Sequence, residues 1–187
     1  MSLRSVLQFD ARLSEQMRVA EKPGALRTIS AFLAHSGDSW FWGAALMLAW
    51  LFSNSLWRKW EAVEFVGISV LAALVMSIKF LVRRKRPEGE WGGIYRNTDP
   101  HSFPSGHAAR SFLIAVLASG LCPAWLLVIL LWIWAPLVAL ARVAMGVHYV
   151  SDVVAGAALG VIAALIGLQI YQPLLGWLTA LVGVQLW

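Results

Sequence analysis

The sequence predicts an all-α fold: an integral membrane helical bundle of five or six transmembrane helices, preceded by an amphipathic helix lying along the interface. Composition is the first sign. Of 187 residues only 13% are charged and 59% are hydrophobic, against about 25% charged in a soluble domain. Charge distribution is the second. No Asp, Glu, Lys or Arg occurs from Ser111 to Ala141, nor from Val153 to Trp187, and each gap exceeds the roughly 20 apolar residues that cross a bilayer. The third is a mean hydropathy of +0.69. The expected organisation is one domain, 1–187, with an amphipathic N-terminal segment (1–37), a transmembrane core (38–171) and an apolar tail (172–187). The first 37 residues lack the apolar stretch of a secretory signal. The lone Cys122 cannot form an intrachain disulfide.

The elements follow in order. Residues 3–20 place Leu3, Val6, Leu7, Leu13 and Met17 near helical spacing, with Arg4, Asp10, Arg12, Glu15 and Arg18 between them. That pattern suits an interfacial helix, not a span. Pro23 and Gly24 break it, and a short helix over Ala25–Ala34 ends at His35–Ser39, where His35 and Asp38 are expected to cap the first span. Span one, Trp40–Leu56, is flanked by tryptophans, which favour the membrane boundary. A loop with Arg58, Lys59 and Glu61 leads to span two, Ala62–Val82, and a Gly-, Pro- and charge-rich loop runs from Arg83 to Phe103. As one helix, residues 111–141 would reach about 46 Å, too long for a hydrocarbon core of about 30 Å. They divide at Gly120 and Pro123 into span three, from Ser105, and span four, to Val143. Span five covers Tyr149–Ile170. The tail from Pro173 is a short sixth span, a half-span or an interfacial helix. Five spans bring the end of span two, the start of span three, the end of span four and the start of span five to one face.

Three polar clusters fall on that face. In Lys79–Pro87, "KFLVRRKRP", Lys79 and Arg86 are seven apart and share a helix face if the helix persists. The run 83–85 reads as a basic stop snorkelling to headgroups. In "PSGH", Ser105 is a helix cap, Gly106 lets a ligand approach the backbone, and His107 stands where free N–H groups and the helix dipole favour an anion. In "ARVAMGVHYVSD", His148 and Asp152 are four apart, so the carboxylate can hold one ring nitrogen and fix the tautomer. Arg142 would be off that face on one continuous helix, and Gly146 suggests a turn that lets both point inward. Taken singly, each cluster can be purely structural. Together, three cations, two histidines and a carboxylate suit phosphoryl transfer. Lys79, Arg86 and Arg142 would neutralise phosphate oxygens, and the N–H groups of Gly106 and His107 would help. One histidine would attack phosphorus while the other protonates the leaving oxygen.

These three stretches resemble, at matching spacing, the signature motifs of the type 2 phosphatidic acid phosphatase (PAP2) superfamily: K-x6-R-P, P-S-G-H and S-R-x5-H-x3-D. The resemblance implies a metal-independent lipid phosphatase without cofactor, of small bacterial type, in the inner (cell) membrane. It makes His148 the nucleophile of a phosphohistidine, oriented by Asp152, and His107 the acid for the leaving group. Lys79, Arg86, Ser105, Gly106 and Arg142 would hold the phosphate. Ala141 departs from the pattern's serine, with an expected loss of about 1 kcal/mol of phosphate binding. Arg110, one turn beyond His107, and His101 and Tyr95 in the loop, with Asp99 and Arg96, are further candidates for substrate contact.

The expected partners are a membrane lipid phosphate and the bilayer. The net charge of +5 sits beside membrane segments, which favours headgroups over nucleic acid. No feature specifies an oligomeric partner. Arg4, Arg12, Arg18, Lys22 and Arg27 lie on the motif face, against Arg58 and Lys59 opposite. The positive-inside rule places the site in the cytoplasm, whereas the resemblance favours the periplasmic or luminal face, and both stay open. Candidate substrates are phosphatidic acid, phosphatidylglycerophosphate, polyprenyl pyrophosphate, lipid A 1-phosphate and polyprenyl-phosphoryl sugar phosphates. Alternatives are a lipid phosphotransferase sharing the intermediate and a non-catalytic lipid-phosphate binder. Hydropathy disfavours the soluble vanadate-dependent haloperoxidases, which have a similar anion cage.

Overall fold

In the computed structural model, which describes residues 3–91 and 99–182, seven helices form and no strand occurs among the described residues. They are α1 (Leu3–Gln16), α2 (Ala25–His35), α3 (Ser39–Phe52), α4 (Ser55–Val82), α5 (Gly106–Leu121), α6 (Trp125–Ala144) and α7 (Val150–Val182). Three helical stretches are long and apolar enough to cross a membrane: Ser55–Val82, Trp125–Ala144 and Val150–Leu174. The apolar α3 and α5 are shorter, about 21 and 24 Å at 1.5 Å per residue.

The short α5 is the hub, packing against α4, α6 and α7. Ile68, Leu71 and Val75 of α4 meet Leu113, Ile114 and Leu117 of α5 in the main core, with Leu131 and Ala135 of α6 and Ala164 of α7. Outward-facing residues such as Val70, Ile133 and Ile162 are exposed, as expected where lipid is the solvent. Gly156 and Gly160 let α7 lie directly on α5. A Cβ at either would strike the backbone of Ser105 or Ala109, the close approach that small residues permit between membrane helices.

Several boundaries differ from the sequence expectation, each for a local reason. Span one ends at Phe52, because Asn54 caps a new helix by accepting from the N–H groups of Leu56 and Trp57. The expected loop with Arg58, Lys59 and Glu61 is therefore the start of α4. Its charges find partners there: Arg58 donates to the Trp50 carbonyl at 3.2 Å, Lys59 lies over the Tyr171 ring, and Glu61 accepts from Ser53 at 2.6 Å. The tail is no separate element as far as Val182, since α7 runs through Pro173 without a break.

The first helix forms as expected and docks through its polar side. Its buried face is polar: Asp10 and Ser14 are buried, while Val6, Leu7 and Phe9 are exposed. The reason lies at the start of α7, whose unpaired N–H groups need acceptors. Asp10 Oδ1 accepts from the Ser151 N–H at 3.0 Å, and Ser14 Oγ from the Val150 N–H at 2.9 Å. Val6, Leu7 and Phe9 face outward, while Met17 packs against the cluster of Ala108, Ala139, Val143 and Val153.

Candidate active site

The end of α4 presents the first cluster. Arg83 adopts a left-handed conformation (φ 53°) and stops the helix. Lys79 and Arg86 therefore do not share a helix face. Instead the chain turns back as an extended segment, with Lys85 bridged to His101, and delivers Arg86 to the same place. Both cations are buried and grip one carboxylate: Lys79 Nζ and Arg86 Nη2 donate to Asp99 Oδ2, the latter at 2.7 Å. A single anion thus fills the fork between them.

The turn after α6 builds the third cluster. Gly146 takes φ +66°, a conformation that costs glycine little. The Arg142 carbonyl then accepts from the N–H groups of both Val147 and His148, at 3.2 and 3.3 Å. Arg142 and His148 are both buried, as the sequence pattern suggested. Arg86 Nη1 donates to His148 Nε2 at 3.1 Å and to the Val147 carbonyl at 2.9 Å. A guanidinium only donates, so Nε2 presents its lone pair and the proton belongs on Nδ1. That nitrogen faces Asp152 Oδ2 at 3.5 Å. Burial, then the charges of Arg86, Arg142 and Lys79, hold the His148 ring well below the usual imidazole range and keep it neutral.

Asp152 is fully buried and multiply held. Arg84 Nη1 donates to its Oδ1 at 2.7 Å, and the Tyr149 N–H to its Oδ2 at 2.9 Å. The other arm of Arg84 reaches Asp10 at 2.7 Å, and the guanidinium stacks 3.9 Å from the Tyr149 ring centroid. Arg84 is therefore not a snorkelling stop residue. It joins two buried carboxylates, a role that sequence reasoning missed for Arg84 and Asp10 alike. The one available signal was an Asp on the polar stripe of α1, and nothing local identified its target.

The second cluster sits against the third. The Ser105 N–H donates to the Asp152 carbonyl at 2.9 Å, and Ser105 Oγ caps α5 at the Ala108 N–H. Ser105 is thus the helix cap that the sequence suggested. Gly106, His107, Lys79 and Asp99 line a cavity of about 210 Å³ between α3, α4 and α5, with Arg110 and Ser39 at its edge. The Ser105 N–H bond to the Asp152 carbonyl ties the start of α5, with His107, to the start of α7, whose Asp152 faces His148.

His107 Nε2 lies 2.7 Å from Asp38 Oδ1, and His35 lies 3.2 Å from Asp38 Oδ2. Asp38 stands at the N-cap position of α3 but makes no side-chain cap bond there. The expected capping pair is instead attached to His107. Arg110 donates to the Gly37 carbonyl and to Ser39 Oγ, so it holds this loop. His101 contributes its carbonyl, an acceptor for Lys79, while its ring packs edge-on to Phe80. Ala141 lies in an apolar cluster with Ala20, Ala34, Met145 and Val147. Tyr95 and Arg96 lie outside the described residues.

Comparison with known proteins identifies the family. A family model described as the PAP2 superfamily matches residues 61–176. A decaprenylphosphoryl-5-phosphoribose phosphatase of Mycobacterium tuberculosis is 34% identical over 146 residues, 78% of this chain and 80% of the relative. Among solved structures, LpxE of Aquifex aeolicus superposes with a TM-score of 0.65 at 25% identity, covering 83% of this chain and 93% of its own. The transmembrane PAP2-type phosphatidylglycerolphosphate phosphatase of Bacillus subtilis shares the fold, with a TM-score of 0.72 over 90% of this chain and 87% of its own, at 22% identity. On the extent of the family match and the identity to the mycobacterial relative, the chain belongs to the PAP2 superfamily: it is a membrane-embedded phosphatase.

Proposed function

We propose that the chain is one catalytic domain of five spans that hydrolyses a phosphomonoester or pyrophosphate of a membrane lipid through a phosphohistidine. The observation that carries this reading is the state of His148. Its Nε2 lone pair meets Arg86 and its Nδ1 side faces Asp152, beside Lys79 and Arg86 clasped on one carboxylate. A phosphate displacing the Asp99 carboxylate would take those donors on its equatorial oxygens, as a planar guanidinium and a point-charge ammonium suit. Nε2 then attacks phosphorus, the P–O bond to the lipid breaks, and His107 protonates the departing oxygen. Water next attacks phosphorus and gives its proton to His107. The P–N bond breaks and the electron pair returns to His148. Lys79, Arg86 and Arg142 neutralise the charge of both transition states.

The mycobacterial relative, named for a decaprenylphosphoryl sugar phosphate, puts polyprenyl-phosphoryl sugar phosphates first among the substrates to test. The test is phosphate release in detergent from a panel of that class, phosphatidic acid, phosphatidylglycerophosphate, lipid A 1-phosphate and polyprenyl pyrophosphate. Release by the wild type and none by His148→Ala is expected. Equal release by both would overturn the role of His148. Vanadate, which mimics the five-coordinate phosphorus, is expected to inhibit.

A further inference from the structure

Two histidines serve the reaction proposed above, and only one of them has a carboxylate partner in the sequence motifs. The structure gives the other one as well. His107 Nε2 lies 2.7 Å from Asp38 Oδ1, in a hydrogen bond spanning 69 residues of chain. Asp38 is outside the segment that the family model matches, on the short loop between α2 and α3.

That loop is held from several sides. Trp42 Nε1 donates to the Ser36 carbonyl at 2.9 Å, and Trp134 Nε1 to Ser36 Oγ at 2.8 Å. Arg110 donates to the Gly37 carbonyl at 3.0 Å. Gly37 sits close to the ring, since a Cβ there would meet His107 Cδ2 at 3.4 Å. A loop this firmly bonded fixes where its carboxylate points. Burial raises the Asp38 carboxyl, but the hydrogen bond and charge of His107, with a lesser contribution from His35, overcome it and hold the group at about 2. An ionised carboxylate only accepts, and Oδ1 lies 2.7 Å from Nε2. Nε2 must then be the donor, whichever charge state the ring is in.

We propose that Asp38 is the positioning residue of the acid-base histidine, forming with His107 a second carboxylate–histidine dyad opposite to Asp152–His148. The two dyads use the ring in opposite senses. Asp152 faces Nδ1 of His148 and frees Nε2 for attack. Asp38 holds Nε2–H of His107 and leaves Nδ1 as the nitrogen that exchanges its proton. When the lipid oxygen departs, Nδ1–H gives it the proton and the ring becomes neutral with Nε2–H still on Asp38. When water attacks, Nδ1 takes the proton back, and the imidazolium that re-forms is balanced by the Asp38 charge. His107 otherwise has cationic neighbours: Arg110 on its own helix, Arg142 on α6 and Lys79 on α4. The negative groups near it are Asp38 and, across the cavity, Asp99. Without Asp38, the ring faces mostly positive charge as it must become positive. His35, on the far oxygen of Asp38, is half exposed and steadies the carboxylate from the solvent side.

This rests on the phosphatase reading above, and the experiment separates the two. Phosphate release is measured in detergent with an alkyl lipid phosphate and with 4-nitrophenyl phosphate, whose leaving group needs little protonation. Asp38→Asn is expected to lower kcat/KM, which reports only the steps up to departure of the leaving group, at least about 30-fold on the lipid phosphate and less than about fivefold on the aryl ester, within the range of general acid catalysis. His107→Ala should show the same selectivity, Asp38→Glu should recover part of the lipid activity, and His148→Ala should lose both substrates. Equal losses of kcat/KM by Asp38→Asn on the two esters, or no loss on either, would overturn the dyad and leave the phosphatase intact. A wild type that hydrolyses neither ester would instead overturn the phosphatase reading.

Discussion

At His148 the protein keeps an imidazole in a place where it should resist protonation. Burial and three cations hold the ring neutral, so the proposed nucleophile keeps its lone pair at pH values where a solvated histidine, near 6.5, would be losing it. The acidic limb of kcat/KM assigned to His148 is expected well below 6.5, and a limb near 6.5 would contradict its burial among Arg86, Arg142 and Lys79. The sign for stability is opposite to that for activity. In the unfolded chain this histidine takes up a proton below about 6.5 while the folded ring does not, so the unfolded state binds more protons. Stability contributed by this one group is fully present above pH 6.5 and falls by about 1.4 kcal/mol per pH unit below it, until the folded ring itself titrates. The fall in Tm with pH in detergent, compared with His148→Gln, checks it.

Between helices, the decisive contacts join an element with strong sequence signals to one with weak signals. The two buried carboxylates at α1 and α7 share Arg84, with 2.7 Å bonds to each. Arg84→Ala would leave Asp10 and Asp152 buried without their common cation, at a cost of about 3–5 kcal/mol. A drop in Tm together with loss of activity is expected, and an unchanged Tm would show that the clasp carries no energy. Periodicity and hydropathy gave the existence of α3 to α7, because long uncharged runs bounded by Trp, Pro and Gly suit a bilayer and rarely occur in soluble cores. Asn54 was harder to interpret: its side-chain cap turns an apparent loop of charges into the first turns of α4. The same limit applied to Arg84 and Asp38. Beside a membrane boundary a basic residue looks like a headgroup anchor, and before a helix an Asp looks like a cap. Only the tertiary fold shows that Arg84 meets Asp152 and Asp38 meets His107. Motif residues were readable because their spacing encodes a shared chemistry, whereas the partners that orient them come from distant helices with no fixed offset.

In the proposed five-span arrangement α4 to α7 alternate in direction, which puts the motif-bearing ends at one face and the turns at Ser53–Asn54 and Cys122–Ala124 at the other. In a protein with Cys122 replaced by Ser, single cysteines at the exposed positions Glu88 and Asn54 are expected to react with an impermeant maleimide from opposite sides of sealed vesicles. Labelling of both from one side would break the five-span arrangement. The same experiment decides between the cytoplasmic placement favoured by the basic N-terminal segment and the outer placement favoured by the family.

The stretch shared with the family begins at residue 61, yet two acidic side chains reach the chemistry from upstream of it: Asp10 through Arg84, and Asp38 directly on His107. A truncated protein starting there would retain every signature residue, yet under the proposed mechanism its nucleophile and its proton donor would each lack an anchor supplied by the first forty residues.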